Sequence, residues 1–396
     1  MVNDANIPLL IYLLIGPLPW AALVAAIFLG RSRMMRLKTE SHTLPDPPPH
    51  VTVIVPAKEE SASIAACIDR LLALDYPSFD VIAVNDRSSD DTGAILDALA
   101  RESPGKLRVL HIQQLPDGWL GKSHALHVAT REARGEWLLF VDSDVIVEPN
   151  SLHDVLAMCA QRKYDAMSIL TRLECHTFLE RLIMPLAAGA WSIMFAISLT
   201  NDDELKKSAA ANGQFFLMRR DAYDQIGGHE SVREQLIEDV ELARLLKSSG
   251  KRVRFLFGNH LAATRMHSTW SQMLNGWGRI YSGSARRQTP RIIAAMLFVL
   301  IAGFSLFPAL CYGFVNWHWL VVSLVHAGLI AFVVGMIYRG ARVPYRYVLF
   351  FPISAAALAI FLGHALRLCR TGRINWRGTK FTVGDQGLPQ RAASSD

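Results

Sequence analysis

An α/β domain set between membrane helices is the fold class that the sequence predicts, and three observations predict it. Strand-like and helix-like stretches alternate between residues 51 and 287, the rhythm of a largely parallel sheet covered by helices on both faces. Long runs without a charged residue lie at both ends, at 7–29, 292–315, 317–338 and 347–366, each long enough to cross a bilayer. The composition agrees: 51% of the 396 residues are hydrophobic and 19% charged, too apolar for an ordinary cytosolic enzyme.

Taken in chain order, the first run has no Lys or Arg before it, whereas Arg31, Arg33, Arg36 and Lys38 follow it. A cleaved signal peptide carries its basic residues first, so residues 1–38 read as a retained anchor. Its C-terminal end is cytoplasmic by the positive-inside rule. Residues 39–50 form a stiff Pro-rich linker containing Leu44-Pro45-Asp46-Pro47-Pro48-Pro49. The central domain, 51–287, opens with a β-branched strand at 51–55 that Pro56 closes. Apolar residues recur at helical spacing over 61–74, with Ile64, Ile68, Leu71 and Leu72 on one face. A second strand at 81–84 leads through Asp90-Asp91-Thr92 into a helix reaching Ala100, its acids at the dipole-favoured end. A strand at 107–112, a helix at 123–133 and a strand at 136–141 complete the alternation.

C-terminal spans occupy 288–368 and a basic tail 369–396. Arg339, Arg342 and Arg346 crowd one short loop, which places that loop on the cytoplasmic face. Three spans after a single anchor carry the tail outside, yet its Arg370, Arg373, Arg377 and Lys380 argue for inside. Either one C-terminal segment is re-entrant, with Phe307-Pro308 or Phe351-Pro352 as break points, or the charge bias loses there. The formal charge of +6 suits basic clusters against anionic lipid, and no nucleic-acid motif is present. Cys67, Cys159, Cys175, Cys311 and Cys369 are scattered without a metal or disulfide pattern, which fits a reducing cytoplasm.

Candidate chemistry gathers where strands end, because open α/β sheets bind ligands at the carboxyl ends of their strands. The apolar run Trp137-Leu138-Leu139-Phe140-Val141 ends in Asp142-Ser143-Asp144. In extended backbone, residues i and i+2 share a side, so two carboxylates would converge and repel unless a cation lies between them. A hard divalent ion such as Mg²⁺ or Mn²⁺ carrying phosphate oxygens suits them; a polar turn leaving a strand is the other reading. The run Asn85-Asp86-Arg87-Ser88-Ser89-Asp90 opens a helix after the second strand. Asp86 there is placed to accept from a base N–H or a ribose hydroxyl, or Ser88, Ser89 and Asp90 simply cap the helix. Glu59 and Glu60 leave the first strand in the same way, and Gly121-Lys122 suits phosphate. Glu238 and Asp239 start an amphipathic helix over 236–246, where the dipole keeps a carboxylate ionised and ready to act as a base.

In order and spacing, Val55-Pro56-Ala57-Lys58-Glu59-Glu60, Asn85-Asp86-Arg87-Ser88-Ser89-Asp90, Gly121-Lys122, Asp142-Ser143-Asp144 and Glu238-Asp239 resemble the family 2 glycosyltransferases. These enzymes have the GT-A fold, a Rossmann-like nucleotide-sugar domain. The resemblance covers roughly residues 50–285, and the flanking membrane segments extend it to the lipid-modifying branch. In that branch the chain looks like ceramide glucosyltransferases and the bacterial hopanoid- and carotenoid-associated enzymes. It implies that Glu60 and Asp86 hold a uridine and that Lys122 lies near the pyrophosphate. By the same resemblance, Asp142 and Asp144 hold the sugar end and the metal, and Asp239 is the catalytic base. Two departures stand out. Glu59 occupies the position where the family usually has Asn. The Q-x-x-R-W motif is replaced by Gln272-Met273-Leu274-Asn275-Gly276-Trp277-Gly278-Arg279, which weakens a processive reading.

The uncharged stretch 182–199 is also long enough to span, but a crossing there would put Asp142 and Asp239 on opposite sides of the bilayer. It is therefore expected to be an interfacial or buried helix, in two pieces meeting near Pro185 and Gly189. Asn212 and Gln214 lie beside the sugar pocket by analogy or form a plain turn. Trp270, Trp277 and Tyr281 suit the headgroup level. Arg265 and His267 either meet a diphosphate or face water. His326 and His364 read as helix-packing residues. Asn375-Trp376-Arg377-Gly378 resembles a basic-aromatic tail element of related membrane enzymes.

The expected protein is an inverting, metal-dependent (Mg²⁺ or Mn²⁺) glycosyltransferase of the cytoplasmic membrane, multi-pass, its catalytic domain facing the cytoplasm. It would move one sugar from a UDP-sugar to a hopanoid, carotenoid or sphingoid lipid. The alternatives are a processive polysaccharide synthase and a non-catalytic membrane scaffold with a transferase-like domain.

Overall fold

A computed structural model describes residues 7–31, 35–36, 43–206, 208–376, 379–383 and 389–391. Arg33, Lys38 and the Arg377-Gly378 half of the tail element lie outside the described residues. The chain forms two compact units. One comprises 33–174, 196–266 and 372–396, the other 1–32, 175–195 and 267–371. Two stretches of the expected central domain, 175–195 and 267–287, thus group with the membrane-length helices.

The first unit is built on strands β1 (Met35–Arg36), β2 (Val51–Ala57), β3 (Phe79–Asp86), β4 (Leu107–Ile112), β5 (Trp137–Phe140), β6 (Val145–Val147), β7 (Ala166–Leu170), β8 (Arg172–Leu173), β9 (Phe216–Arg219), β10 (Val253–Phe257) and β11 (Ala262–Thr264). Eight of them make one sheet in the order β1-β10-β7-β9-β5-β2-β3-β4, and β6-β11-β8 make a small second sheet. In the large sheet β9 runs antiparallel to β5 and β7, while β2, β3, β4, β5, β7 and β10 pair in parallel.

Both faces of this sheet are buried, as parallel pairing requires, so the strands read as nearly unbroken apolar runs. Val51, Val53, Val55, Val81, Ala83 and Leu139 face one core, shared with the helices Ile64–Leu72 and Ser151–Arg162. Ile54, Ile82, Val84, Leu138 and Phe140 face the other, packed by Ala125, Leu126 and Ala129 of Gly121–Glu132 and by Leu242, Ala243 and Leu246 of Glu238–Ser248. These last two helices therefore lie on the same side of the sheet. Each leads to a parallel strand, so each runs back across the sheet and starts at its carboxyl edge.

Three departures from the sequence pattern concern the ends of elements in this unit. β2 does not stop before Pro56 but runs to Ala57. It pairs with β5 only as far as Ile54, whereas its pairing with β3 continues to Ala57. The missing Pro56 amide therefore falls where one flank of the strand is already unpaired, a position that tolerates proline. Asn85 and Asp86 are the last residues of β3 and not part of the loop after it. The helix expected over 236–246 begins at Glu238, so Glu238 and Asp239 are its first two residues.

Among the described residues of the second unit, four helices are long and apolar enough to cross a membrane: Ile7–Gly30, Thr289–Gly313, Trp317–Gly340 and Tyr345–Thr371. They match the expected runs to within a few residues. Thr289–Gly313 contains a π-helical stretch, Phe298–Ala302, and a turn at Ser305 just before Phe307-Pro308. Tyr345–Phe350 is 3₁₀ and becomes α-helical at Phe351, beside Pro352. The Ala302 carbonyl accepts from Trp20 Nε1 at 2.8 Å and His326 Nε2 at 2.9 Å. A carbonyl only accepts, so His326 carries its proton on Nε2, and its Nδ1 takes the Tyr12 hydroxyl at 2.9 Å. His326 is thus a packing residue with both ring nitrogens engaged. His364 lies where a Cβ on Gly278 would come within 2.3 Å of its ring.

The stretch expected as two pieces near Pro185 and Gly189 is one helix, Phe178–Met194, running through both residues. It starts earlier because Thr177 and Glu180 form a capping box, and the chain breaks instead at Ala196, φ 45°. Pro185 lacks the N–H that would bond the Arg181 carbonyl; the next carbonyl, Leu182, accepts from Tyr338 Oη at 2.8 Å and Ser354 Oγ at 2.9 Å. Trp277 and Tyr281 are buried, not at a headgroup surface. They lie on the face of Trp270–Ser284 that meets this helix, Trp277 Nε1 reaching Met184 Sδ and Tyr281 Oη the Ala187 carbonyl. Trp270 alone of the three stays partly exposed.

Candidate active site

Three backbone features at the carboxyl edge of the large sheet deliver the charged groups. β5 ends at Phe140, and Val141 N still bonds Ile54 O at 3.0 Å. The chain then turns, Val145 N donating to Asp142 O at 3.2 Å, to enter β6 of the small sheet. Asp142-Ser143-Asp144 is therefore a turn between two sheets and not the extended stretch that the spacing predicts. The handover to β6 forces the bend. Lys122 is the second residue of Gly121–Glu132, and Glu238 and Asp239 open Glu238–Ser248.

The Lys122 ammonium joins these pieces, at 2.7 Å from Asp142 Oδ1 and 2.7 Å from Glu238 Oε1. Asp239 accepts from Gly213 N through Oδ2 at 2.6 Å and from Val240 N through Oδ1 at 2.8 Å. Glycine at 213 permits this approach, because a Cβ there would lie 3.0 Å from Lys122 Nζ and 3.2 Å from Asp239 Oδ2. A small pocket opens over the cluster, lined also by Phe140, His229 and Leu242.

Burial works against the charged form of Lys122, but Asp142, Glu238 and Asp239 overcome it and hold the ammonium well above its ordinary range. Asp239 moves the opposite way from a free carboxylate. Desolvation first, and then the Glu238 carboxylate, push it up to about 7 against the pull of Lys122 and two N–H bonds. Three carboxylates around one ammonium leave the pocket net negative. An anionic diphosphate enters such a place only with a cation. Asp142 and Asp144 offer the hard oxygen donors that Mg²⁺ or Mn²⁺ prefers. Among the described residues no group of three or more His, Cys, Asp or Glu side chains is arranged to hold a metal, so phosphate oxygens would have to complete the coordination.

The nucleotide-type residues lie along the same edge. Asp86 is buried and clasped by Arg87, Nε to Oδ1 at 2.7 Å and Nη2 to Oδ2 at 2.9 Å. A Cβ on Gly121 would lie 2.6 Å from Asp86 Oδ2, so Asp86 abuts the start of the Lys122 helix. Glu60 accepts from Ser63 Oγ at 2.7 Å, and its N–H donates to Thr92 Oγ1 at 2.8 Å. Glu59, at φ 53°, accepts from Ser89 N at 2.9 Å. Asp90 accepts from Thr92 Oγ1 at 2.5 Å, Ser61 N at 3.0 Å and Thr92 N at 3.1 Å; desolvation opposes, but these bonds, the Thr92 hydroxyl's foremost, outweigh it and hold Asp90 at about 2. Asp90 thus does the capping work and laces the loops after β2 and β3 together.

Of the residues singled out in the sequence, Lys122, Asp142 and Asp239 form one cluster, with Asp86 beside it and Asp144 across the turn. Glu60 sits at the end of the neighbouring strand. Asn212 and Gln214 bond each other at 3.0 Å, and Thr171 Oγ1 donates to Gln214 Oε1, the plain-turn arrangement. Sequence reasoning read Glu238 only as one of the acids opening its helix and not as a partner of Lys122, and assigned no role to Gly213 or His229. The Gly227-Gly228-His229 run was the available signal for His229.

Residues 47–288 match the family model described as glycosyltransferase-like family 2. Over 351 residues the chain is 23% identical to a 4,4'-diaponeurosporenoate glycosyltransferase of Staphylococcus aureus, a match covering 85% of this chain and 89% of that relative. In structure it is similar to the mannosyltransferase PcManGT from Pyrobaculum calidifontis, solved with GDP-Man and Mn²⁺. The TM-score is 0.52 at 19% identity, covering 89% of this chain and 97% of that one. The fold is accordingly the GT-A type.

Proposed function

The chain belongs to glycosyltransferase-like family 2 and is a glycosyltransferase, and on that premise we propose that it moves one sugar from a UDP-sugar to a membrane lipid with inversion at the anomeric carbon. The observation that carries this reading is the Lys122-centred cluster of Asp142, Glu238 and Asp239, in a chain whose described residues also include four helices of membrane-crossing length. The acceptor named for the Staphylococcus aureus relative, a diaponeurosporenoate, supports an apolar lipid bearing a carboxylate or hydroxyl. The anchor's charge pattern supports a catalytic unit on the cytoplasmic side.

In the proposed reaction Glu60 and Asp86 hold the uridine, and Arg87 yields Asp86 to the base. Lys122 leaves Asp142 to meet the diphosphate. Asp142 and Asp144 would hold Mg²⁺ or Mn²⁺, which when bound supplies positive charge to the departing diphosphate. The acceptor oxygen attacks the anomeric carbon from the face opposite the leaving group, and the bond from that carbon to the phosphate oxygen breaks. Asp239 takes the proton of a hydroxyl acceptor. A base at about 7 is matched to neutral pH, where it is both ionised in good part and basic enough to help.

Purified full-length protein with Mn²⁺, labelled UDP-sugars and extracted lipids tests the reading. Label should enter a lipid that carries one added hexose by mass spectrometry, and chelation should abolish the transfer. A ladder of products with many sugars, or full transfer in excess chelator, overturns it.

A further inference from the structure

His229 is the most deeply buried ionisable side chain lining the pocket and has no part in the chemistry above. It is 1% exposed and lines the pocket with Lys122, Asp142 and Asp239. Its ring packs edge-on against Phe140, centroids 5.0 Å apart. Behind it lies Tyr223, whose hydroxyl accepts from the His229 backbone N–H at 2.9 Å and meets His229 Nδ1 at 2.8 Å.

The backbone is shaped for this arrangement. Gly227 and Gly228 both have positive φ, 79° and 52°, and a Cβ on Gly228 would fall 2.5 Å from the Tyr223 ring. Two glycines let the chain wrap the tyrosine and return the histidine ring to the pocket. Thr130 donates its proton to His127 O at 2.8 Å, and its oxygen is 3.1 Å from Tyr223 Oη. The Tyr223 hydroxyl can donate to Nδ1 at 2.8 Å or to the Thr130 oxygen at 3.1 Å; when it takes the shorter contact, Nδ1 accepts and the ring proton resides on Nε2. Burial, and then the Lys122 charge, depress His229 to about 3, so the ring is neutral at physiological pH.

We infer that His229 is a substrate-contacting residue, its Nε2–H donating a hydrogen bond to an oxygen of the nucleotide-sugar donor. The inference rests on the proposed donor chemistry and adds a contact to it. A neutral donor suits this spot: it adds no charge beside Lys122, and it leaves a buried N–H unsatisfied when a ligand lacks the matching oxygen. The oxygen belongs either to the diphosphate or to a sugar hydroxyl, and both are the same hydrogen-bonding chemistry.

The test measures binding of UDP and of UDP-glucose, each with Mn²⁺, to full-length wild type, His229→Phe and His229→Gln. Phenylalanine keeps the aromatic packing on Phe140 and loses the donor; glutamine keeps a donor amide and loses the packing. A hydrogen bond to the ligand predicts about tenfold or greater weakening in His229→Phe and partial recovery in His229→Gln. A packing role predicts the reverse order and overturns the inference. Weakening for UDP and UDP-glucose alike assigns the contact to the diphosphate, and weakening for UDP-glucose alone assigns it to the sugar. Wild-type affinity of His229→Phe for both ligands overturns the inference and leaves the donor reading intact. A wild type that binds neither ligand overturns both. If His229→Phe does not fold, Tyr223→Phe serves: losing the hydroxyl frees Nδ1 to take the ring proton, so binding should weaken several-fold, and unchanged binding overturns the inference.

Discussion

Asp239 shares one ammonium with two other carboxylates, and that sharing would set the pH range in which it serves as the proposed base. Its carboxyl is held at about 7 by desolvation and Glu238, with Lys122 pulling the other way. A base works only when ionised, so kcat/KM for a hydroxyl acceptor should rise as pH rises through about 7 and level off above it. Replacing Lys122 by Gln removes the group that lowers Asp239, so the rising limb should move to higher pH; a limb that stays in place would mean another group titrates. The separate residues of this cluster were legible in the sequence because each follows a strand end or opens a helix. Their sharing was not. Lys122 meets Glu238 and Asp142 across long stretches of chain, and the Gly213 amide on Asp239 depends on how β9 inserts antiparallel between β5 and β7. The place of Asp86 near a strand end was readable, but its clasp by Arg87 was not, since nothing in residue order fixes where an arginine fork points.

Helices and strands were legible to within a few residues wherever periodicity was strong, and the exceptions have local causes. Pro56 reads as a strand end, yet it is tolerated where β2 has lost one neighbour. Pro185 reads as a break in 182–199, yet Phe178–Met194 continues through it. The Tyr338 and Ser354 hydroxyls on the Leu182 carbonyl come from residues more than a hundred positions away, beyond the reach of local pattern. They give the element a testable weak point. Replacing Tyr338 by Phe together with Ser354 by Ala should remove both side-chain donors from that buried carbonyl and destabilise the detergent-solubilised protein by about 1–2 kcal/mol. Thermal unfolding followed in detergent reads this, and an unchanged midpoint would show that the helix's own amide holds that carbonyl unaided.

At the scale of the whole molecule, the chain joins a sugar-transfer unit to helices of membrane-crossing length, and the open question is the chemistry of the acceptor. That chemistry can be read from how far turnover depends on Asp239. A hydroxyl must lose a proton as its oxygen attacks, so Asp239→Asn should lower kcat by about 10²–10⁴-fold with a hydroxyl lipid. A carboxylate is already ionised at neutral pH and brings no proton to remove. With such an acceptor the same substitution should cost far less, and the pH limb near 7 should disappear. Asparagine also removes one negative charge from the pocket, so an anionic acceptor would meet less repulsion there. Assaying wild type and Asp239→Asn against a carotenoid or other apolar carboxylate and against its alcohol separates the cases. Equal losses with both acceptors would show that Asp239 serves to hold the Gly213 loop and the donor in place, and the proton would then need another destination.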